Sequence, residues 1–190
     1  MDVYEAIKQR RSIRRFLQKP VPREALRRML EGARLAPSGA NMQPIRYIAV
    51  TNPALVEQIF QFIQLAVYLG GKGTPKEGER PTCYICVLGD KTVKTSGFDC
   101  DASAGIENIL LAAIAEGLGT CWVGAIERDK ITALLNVPDT QELHSVIAVG
   151  YPAQKSSVEE MADSVKYRLD ENGDMIVPKR AFESIIDFLG

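Results

Sequence analysis

The fold class this sequence predicts is an α/β (α+β) sandwich, one sheet between helical layers. Three observations carry it. Short apolar runs of strand character recur along the chain: RYIAV, TCYICVLG, TCWVGAI and HSVIAVGYP. Helical patterns separate them. The chain has 190 residues, 46% hydrophobic and 25% charged, enough for a single domain over residues 1–190 with a sizeable core.

The elements follow in order. Asp2 caps a first helix whose apolar stripe is Val3, Ala6 and Ile7, ending near Arg10. Pro22 opens a second helix, with Leu26, Met29, Leu30 and Ala33 inward and Arg23, Arg27, Arg28 and Arg34 outward. Pro37 stops it, because proline cannot continue the hydrogen-bond ladder. RYIAV is a strand, and Asn52-Pro53 opens a third helix carrying Ile59, Phe60 and Ile63. Gly, Pro and charge dominate residues 70–81, which predicts a mobile loop. TCYICVLG reads as a strand covered on both faces. DASAGIENILLAAIAEGLG is the longest helix signal, its small residues and Ile/Leu pairs implying burial on most sides. TCWVGAI is a strand, Arg128–Leu135 a short helix and HSVIAVGYP another strand. The tail is polar, turns at Glu171-Asn172-Gly173, and ends in an expected helix bearing Phe182, Ile185, Ile186 and Leu189. A tail of this kind often packs on something else, and a second subunit is the candidate.

Bulk properties exclude several classes of function. A net charge of −1 gives no field toward nucleic acid or membrane. No apolar run reaches membrane-spanning length, and MDVYEAIKQRR lacks the apolar core of a signal peptide, so a cytoplasmic location is expected. The single histidine, His144, rules out a zinc site with two histidines from one chain, and its apolar context favours a structural or edge position. CYIC lies within a strand, where residues three apart face opposite ways, so Cys83 and Cys86 read as buried structural residues. Neither a GxGxxG fingerprint nor a P-loop is present, and GGKG lacks the GK[ST] ending.

RRSIRRF concentrates four arginines in seven residues. In an extended segment Arg10, Ser12 and Arg14 share one face, while Arg11, Ile13 and Arg15 share the other. Two guanidinium forks beside a hydroxyl can cradle a phosphate; a solvated basic turn is the alternative. APSGANMQP then sets Ser38, Gly39, Asn41 and Gln43 in a short loop. Their amides and hydroxyl can pair with the donor and acceptor edges of a flat heterocycle, or simply form a polar loop.

The combination of RRSIRRF, APSGANMQP, GLGTCWVGA and the closing VPKRAFESII, in that order over essentially the whole chain, resembles the nitroreductase family of flavoproteins. The resemblance implies a mostly antiparallel sheet between helical layers and a homodimer with a C-terminal tail exchanged between subunits. It also implies one FMN in each of two clefts at the interface, reduced by NAD(P)H. Carried over by position, Arg10, Arg11, Ser12 and Arg14 hold the FMN phosphate and ribityl chain, completed by Lys179 and Arg180. Pro37, Ser38, Gly39, Asn41 and Gln43 reach the flavin from the other subunit, and Trp122, Val123 and Gly124 lie beside the ring. No side chain is assigned catalysis and no metal is implied, because the flavin carries the hydride. The acceptors implied are nitroaromatics, quinones or similar flat electrophiles. The alternatives are a family enzyme with another flavin outcome, dehalogenation or flavin fragmentation, or a non-catalytic module with CYIC as sensor. Ile45 stands where many members carry tryptophan, and residues 65–82 are short for a covering helix, so a relatively open pocket is expected.

Overall fold

Alternation along one strand sets the layers. The computed structural model describes all 190 residues. In chain order the elements are α1 (Val3–Gln9), β1 (Phe16–Leu17), α2 (Arg23–Arg34), β2 (Ile45–Val50), α3 (Pro53–Phe60), β3 (Cys83–Asp90) and α4 (Asp99–Ala115). They continue with β4 (Gly119–Val123), α5 (Arg128–Leu134), β5 (Gln141–Pro152), β6 (Ser156–Glu160), β7 (Arg168–Leu169) and β8 (Met175–Lys179). In β3, Cys83, Ile85 and Val87 enter one hydrophobic cluster while Tyr84, Cys86 and Leu88 enter another. The first cluster is roofed by α2 and α4 through Leu26, Met29, Ile106 and Ile109; the second by α3 and α5 through Val56, Ile59 and Ile131. Each fully buried isoleucine contributes roughly 1.5–3 kcal/mol of transfer free energy. The expected sandwich is therefore observed, and its main sheet is antiparallel throughout: β2 pairs β3, β3 pairs β5, and β4 and β1 both pair β5.

Local chemistry explains the element ends. Asp2 Oδ1 accepts from the Glu5 amide at 2.8 Å, and Asn52 Oδ1 from the Ala54 and Leu55 amides, so both expected caps form. Pro22 is the cap of α2 rather than its first residue. Gly117 leaves α4 at φ +69°, a conformation that suits glycine. Residues 101–114 contain no fully exposed position, as expected for a helix crowded on most sides.

Four expectations are corrected. The α1 stripe does not face this protomer's core: Ala6 is buried, whereas Val3 and Ile7 are 71% and 49% exposed, with Tyr4 beside them at 67%. Ile63 lies beyond α3, in an isolated bridge to Ile126. The tail forms a second sheet, β6-β8-β7, because Ser156–Glu160 and Met175–Lys179 extend and pair in parallel. The closing helix is only a 3-10 turn, Phe182–Ser184; Phe182, Ile185, Ile186, Phe188 and Leu189 stay exposed with no surface of this protomer to bury them. No helix is long and apolar enough to cross a membrane.

Candidate functional site

The arginine segment runs along the free edge of β4. Ser12 forms a parallel bridge with Thr120, and the Ile13 amide donates to the Thr120 carbonyl at 2.8 Å. Ile13 plugs into the second core cluster, which turns its neighbours to opposite sides. Arg10, capping α1, reaches Glu107 of α4 at 3.4 Å. Arg11 donates to the Arg10 carbonyl, and burial together with the nearby Arg10 charge lowers its guanidinium below the ordinary arginine value. Arg15 is held by the tail rather than left to solvent. It donates to the Gly173 carbonyl and lies 3.9 Å from Asp174, so the tail sheet claims it.

Arg14 differs from its neighbours. It is 9% exposed, its Nε has no hydrogen-bond partner, and none of the chain's ion pairs includes it. Its guanidinium stacks on the Tyr167 ring at 4.8 Å and lines a cavity of about 90 Å³ with Arg15, Lys72 and Lys76. Glu79 is the carboxylate of that lining. Lys72 and Lys76 belong to the stretch 70–81 whose composition predicts only a mobile loop; two lysines in a Gly/Pro-rich stretch carry no spacing signal that aims them at Arg14.

The loop at 37–43 lies elsewhere in the protomer. Pro37, Ser38 and Gln43 line a cavity of about 190 Å³ with Asp101 of α4. Ser38 Oγ accepts from the Gln43 amide at 2.9 Å, and the Gly39 amide donates to Asp101 Oδ1 at 2.8 Å. Asn41 and Gln43 are exposed.

Trp122 and Gly124 line a third cavity, about 450 Å³, while Val123 is buried in the core. Trp122 Nε1 donates to Ser145 Oγ at 2.9 Å; Ser145 Oγ is 3.0 Å from His144 Nδ1, and His144 Nε2 is 3.3 Å from Asp99 Oδ1. An indole N–H can only donate, so Ser145 Oγ is the acceptor of the Trp122 bond and links the indole to the imidazole. The β3–β5 register passes from Val87↔Ser145 to Leu88↔Leu143, so His144 is the bulged residue. That extra residue lets His144 and Ser145 meet. His144 thus sits on a strand as expected, but hydrogen-bonded into a cavity.

Lys179 and Arg180 are exposed, and the Arg180 guanidinium donates to the Ser184 carbonyl rather than approaching the arginine segment. Within one protomer the structure therefore joins the arginine segment to β4 and leaves the 37–43 loop and the basic pair apart. Cys83 and Cys86 enter opposite clusters and cannot converge on one metal or disulfide, which removes the basis for a CYIC sensor.

The sequence model of the Nitroreductase family matches residues 7–69 and 73–151. The chain belongs to the nitroreductase family. It is 31% identical over 176 residues to a provisionally named NADH dehydrogenase/NAD(P)H nitroreductase of Methanothermobacter thermautotrophicus, spanning 90% of this chain and 88% of the relative. Among solved structures it resembles a nitroreductase with bound FMN from Bacteroides fragilis NCTC 9343, with a TM-score of 0.65 and 25% identity over 86% of this chain and 95% of that one. The family is not uniform in chemistry: an iodotyrosine deiodinase of Thermotoga neapolitana is 27% identical over 166 residues, 79% of this chain and 88% of that one.

Proposed function

We propose that this nitroreductase-family chain binds FMN between two copies of itself. On this reading it oxidises NAD(P)H and reduces flat electrophilic acceptors, nitroaromatics or quinones, in a ping-pong cycle. The observation that carries the reading is Arg14: a buried guanidinium in no ion pair, its Nε unpaired and only Nη1 donating, to the Ser12 carbonyl at 3.5 Å, in a lining that sets three further cations against one carboxylate, Glu79. A buried charge is costly unless paired, so this site calls for an anion. The phosphate of FMN, or the electron-rich edge of its ring, supplies that charge.

When bound, FMN supplies hydride acceptance and donation. The chain's own residues bind and orient. Arg10, Arg11 and Arg14 neutralise the phosphate end and Ser12 offers it a hydroxyl donor, with Lys72 and Lys76 adding positive potential beside Arg14. Lys179 and Arg180 complete the phosphate site from the tail of the second copy, since nothing in their own protomer brings them to it. Asn41 and Gln43 offer exposed side-chain amides to the ring from the second copy's loop. Trp122, Val123 and Gly124 bring backbone alongside it, and the hydrogen bond from Trp122 to Ser145 fixes the indole there.

Purified protein should be yellow, bleach anaerobically with NAD(P)H and regain colour with a quinone. A colourless protein that takes up no added FMN would sink the reading. Replacing Arg10 and Arg14 together with alanine should weaken FMN binding by about 2–5 kcal/mol, the scale of lost charge-assisted pairs to phosphate. Reductive dehalogenation is the second reading, favoured by the kinship with a deiodinase; halide release from an iodophenol by the reduced enzyme separates it from nitro or quinone reduction.

A further inference from the structure

Five residues other than glycine hold a positive φ in this chain, and three lie together: Ala40 at 49°, Asn41 at 55° and Gln43 at 52°. Left-handed backbone is unfavourable for residues with a Cβ and persists where surroundings over-determine it. Inside the loop the Asn41 amide donates to the Ser38 carbonyl, Met42 to Gly39, and Gln43 to Ser38 Oγ, while the Gln43 side chain donates one N–H to the Asn41 carbonyl at 3.2 Å and keeps its oxygen and second N–H free. The bond that reaches the loop from elsewhere in the chain runs from the Gly39 amide to Asp101 Oδ1, 62 positions away.

Asp101 is built for this. It sits in the first turn of α4 and is 6% exposed. Its second oxygen, Oδ2, accepts from Lys94 Nζ at 2.8 Å, and Lys94 is itself fixed by donating to the Gly97 carbonyl at 2.6 Å. Both oxygens thus face donors, which holds the carboxyl ionised and in one rotamer. A charged acceptor makes the stronger hydrogen bond, so the loop is tied to the most buried helix of the fold by a charge-assisted contact.

We propose that Asp101, set by Lys94, is a positioning residue for the flavin site. Its carboxylate clamps residues 37–43 in a strained conformation that turns Asn41 and Gln43 outward, ready for the ring held by the second copy. The loop is shaped before the ligand arrives, so binding does not have to order it. This inference rests on the reading that the loop meets FMN, which its test can separate.

The experiment compares the parent with Asp101→Ala, Asp101→Asn and Lys94→Gln. The measurements are FMN affinity of the apoprotein by flavin fluorescence, amide exchange over residues 38–43, melting temperature, and steady-state rates at saturating FMN. Asp101→Asn keeps an acceptor for Gly39 but sets an amide against Lys94, so it serves if the alanine variant folds poorly. Expected in both Asp101 variants are faster exchange confined to the loop and FMN affinity lower by about tenfold or more. Saturating FMN should restore most of kcat, and Lys94→Gln should give a smaller shift in the same direction. Parent-like FMN affinity in a folded Asp101→Asn overturns the proposal, whether or not exchange or melting changes. Loss of kcat that saturating FMN does not restore overturns it too. A parent that takes up no FMN overturns the flavin reading along with it.

Discussion

Burial pushes the Cys83 and Cys86 thiols from the usual 9.0 up to about 12, while Cys100 alone is exposed. The unfolded chain loses these thiol protons above pH 9 and the native state keeps them, so the native state binds more protons and stability falls as pH rises from 9 toward 12. The slope is at most about 1.4 kcal/mol per pH unit for each thiol, and Tyr47, also pushed up to about 12, adds to it above pH 10. Urea midpoints at pH 7, 9 and 10.5 should fall along this series, less so in a Cys83→Ala/Cys86→Ala variant; a flat parental profile would contradict it. A thiol reagent at pH 8 should label at most one cysteine in the native protein and four after denaturation. Strand alternation made the burial of these cysteines legible in the sequence. Arg14 was legible as a basic residue in a motif, but not as the single buried one, because that depends on Ile13 finding the core. Asp101 and Lys72 were not legible, since their roles come from partners at sequence separations that local patterns do not encode.

Two glycines test the elements in opposite directions. A Cβ on Gly119 of β4 would sit 2.9 Å from Ile13 Cβ, a stem atom that cannot swing away. Gly119→Ala should therefore lever the arginine segment off β4, costing about 1–3 kcal/mol and weakening FMN binding together with stability. Gly32, inside α2, has only ordinary contacts available to a Cβ, the nearest being Asn108 O at 3.7 Å. Gly32→Ala should stabilise by up to about 1 kcal/mol through helix propensity. Thermal melting of the two variants checks both signs. Main elements were legible because their apolar period, caps and terminating glycines agree. The tail was not: Phe182, Ile185, Ile186 and Leu189 have helical spacing, but a short amphipathic segment with nothing to cover it gains too little from hydrogen bonds alone to stay helical.

Among the apolar side chains left open on the whole molecule, two groups are contiguous in sequence with the chain's ends: Val3, Tyr4 and Ile7 on α1, and Phe182, Ile185, Ile186, Phe188 and Leu189. Such surfaces are normally covered in the working protein. On the proposed reading a second copy covers them. Sedimentation should then give a dimer, and Tyr4→Glu with Ile7→Glu should shift it toward monomer and release FMN; a monomeric, yellow parent would contradict this. The sandwich was legible as a class, and its antiparallel order through the family resemblance, whereas the separation of the candidate ligand-binding residues into different cavities was visible only in three dimensions. That separation has a practical outcome. If each cleft borrows residues from its neighbour, dilution that splits the pair also empties the clefts, so specific activity would fall with enzyme concentration and recover on adding either more protein or free FMN.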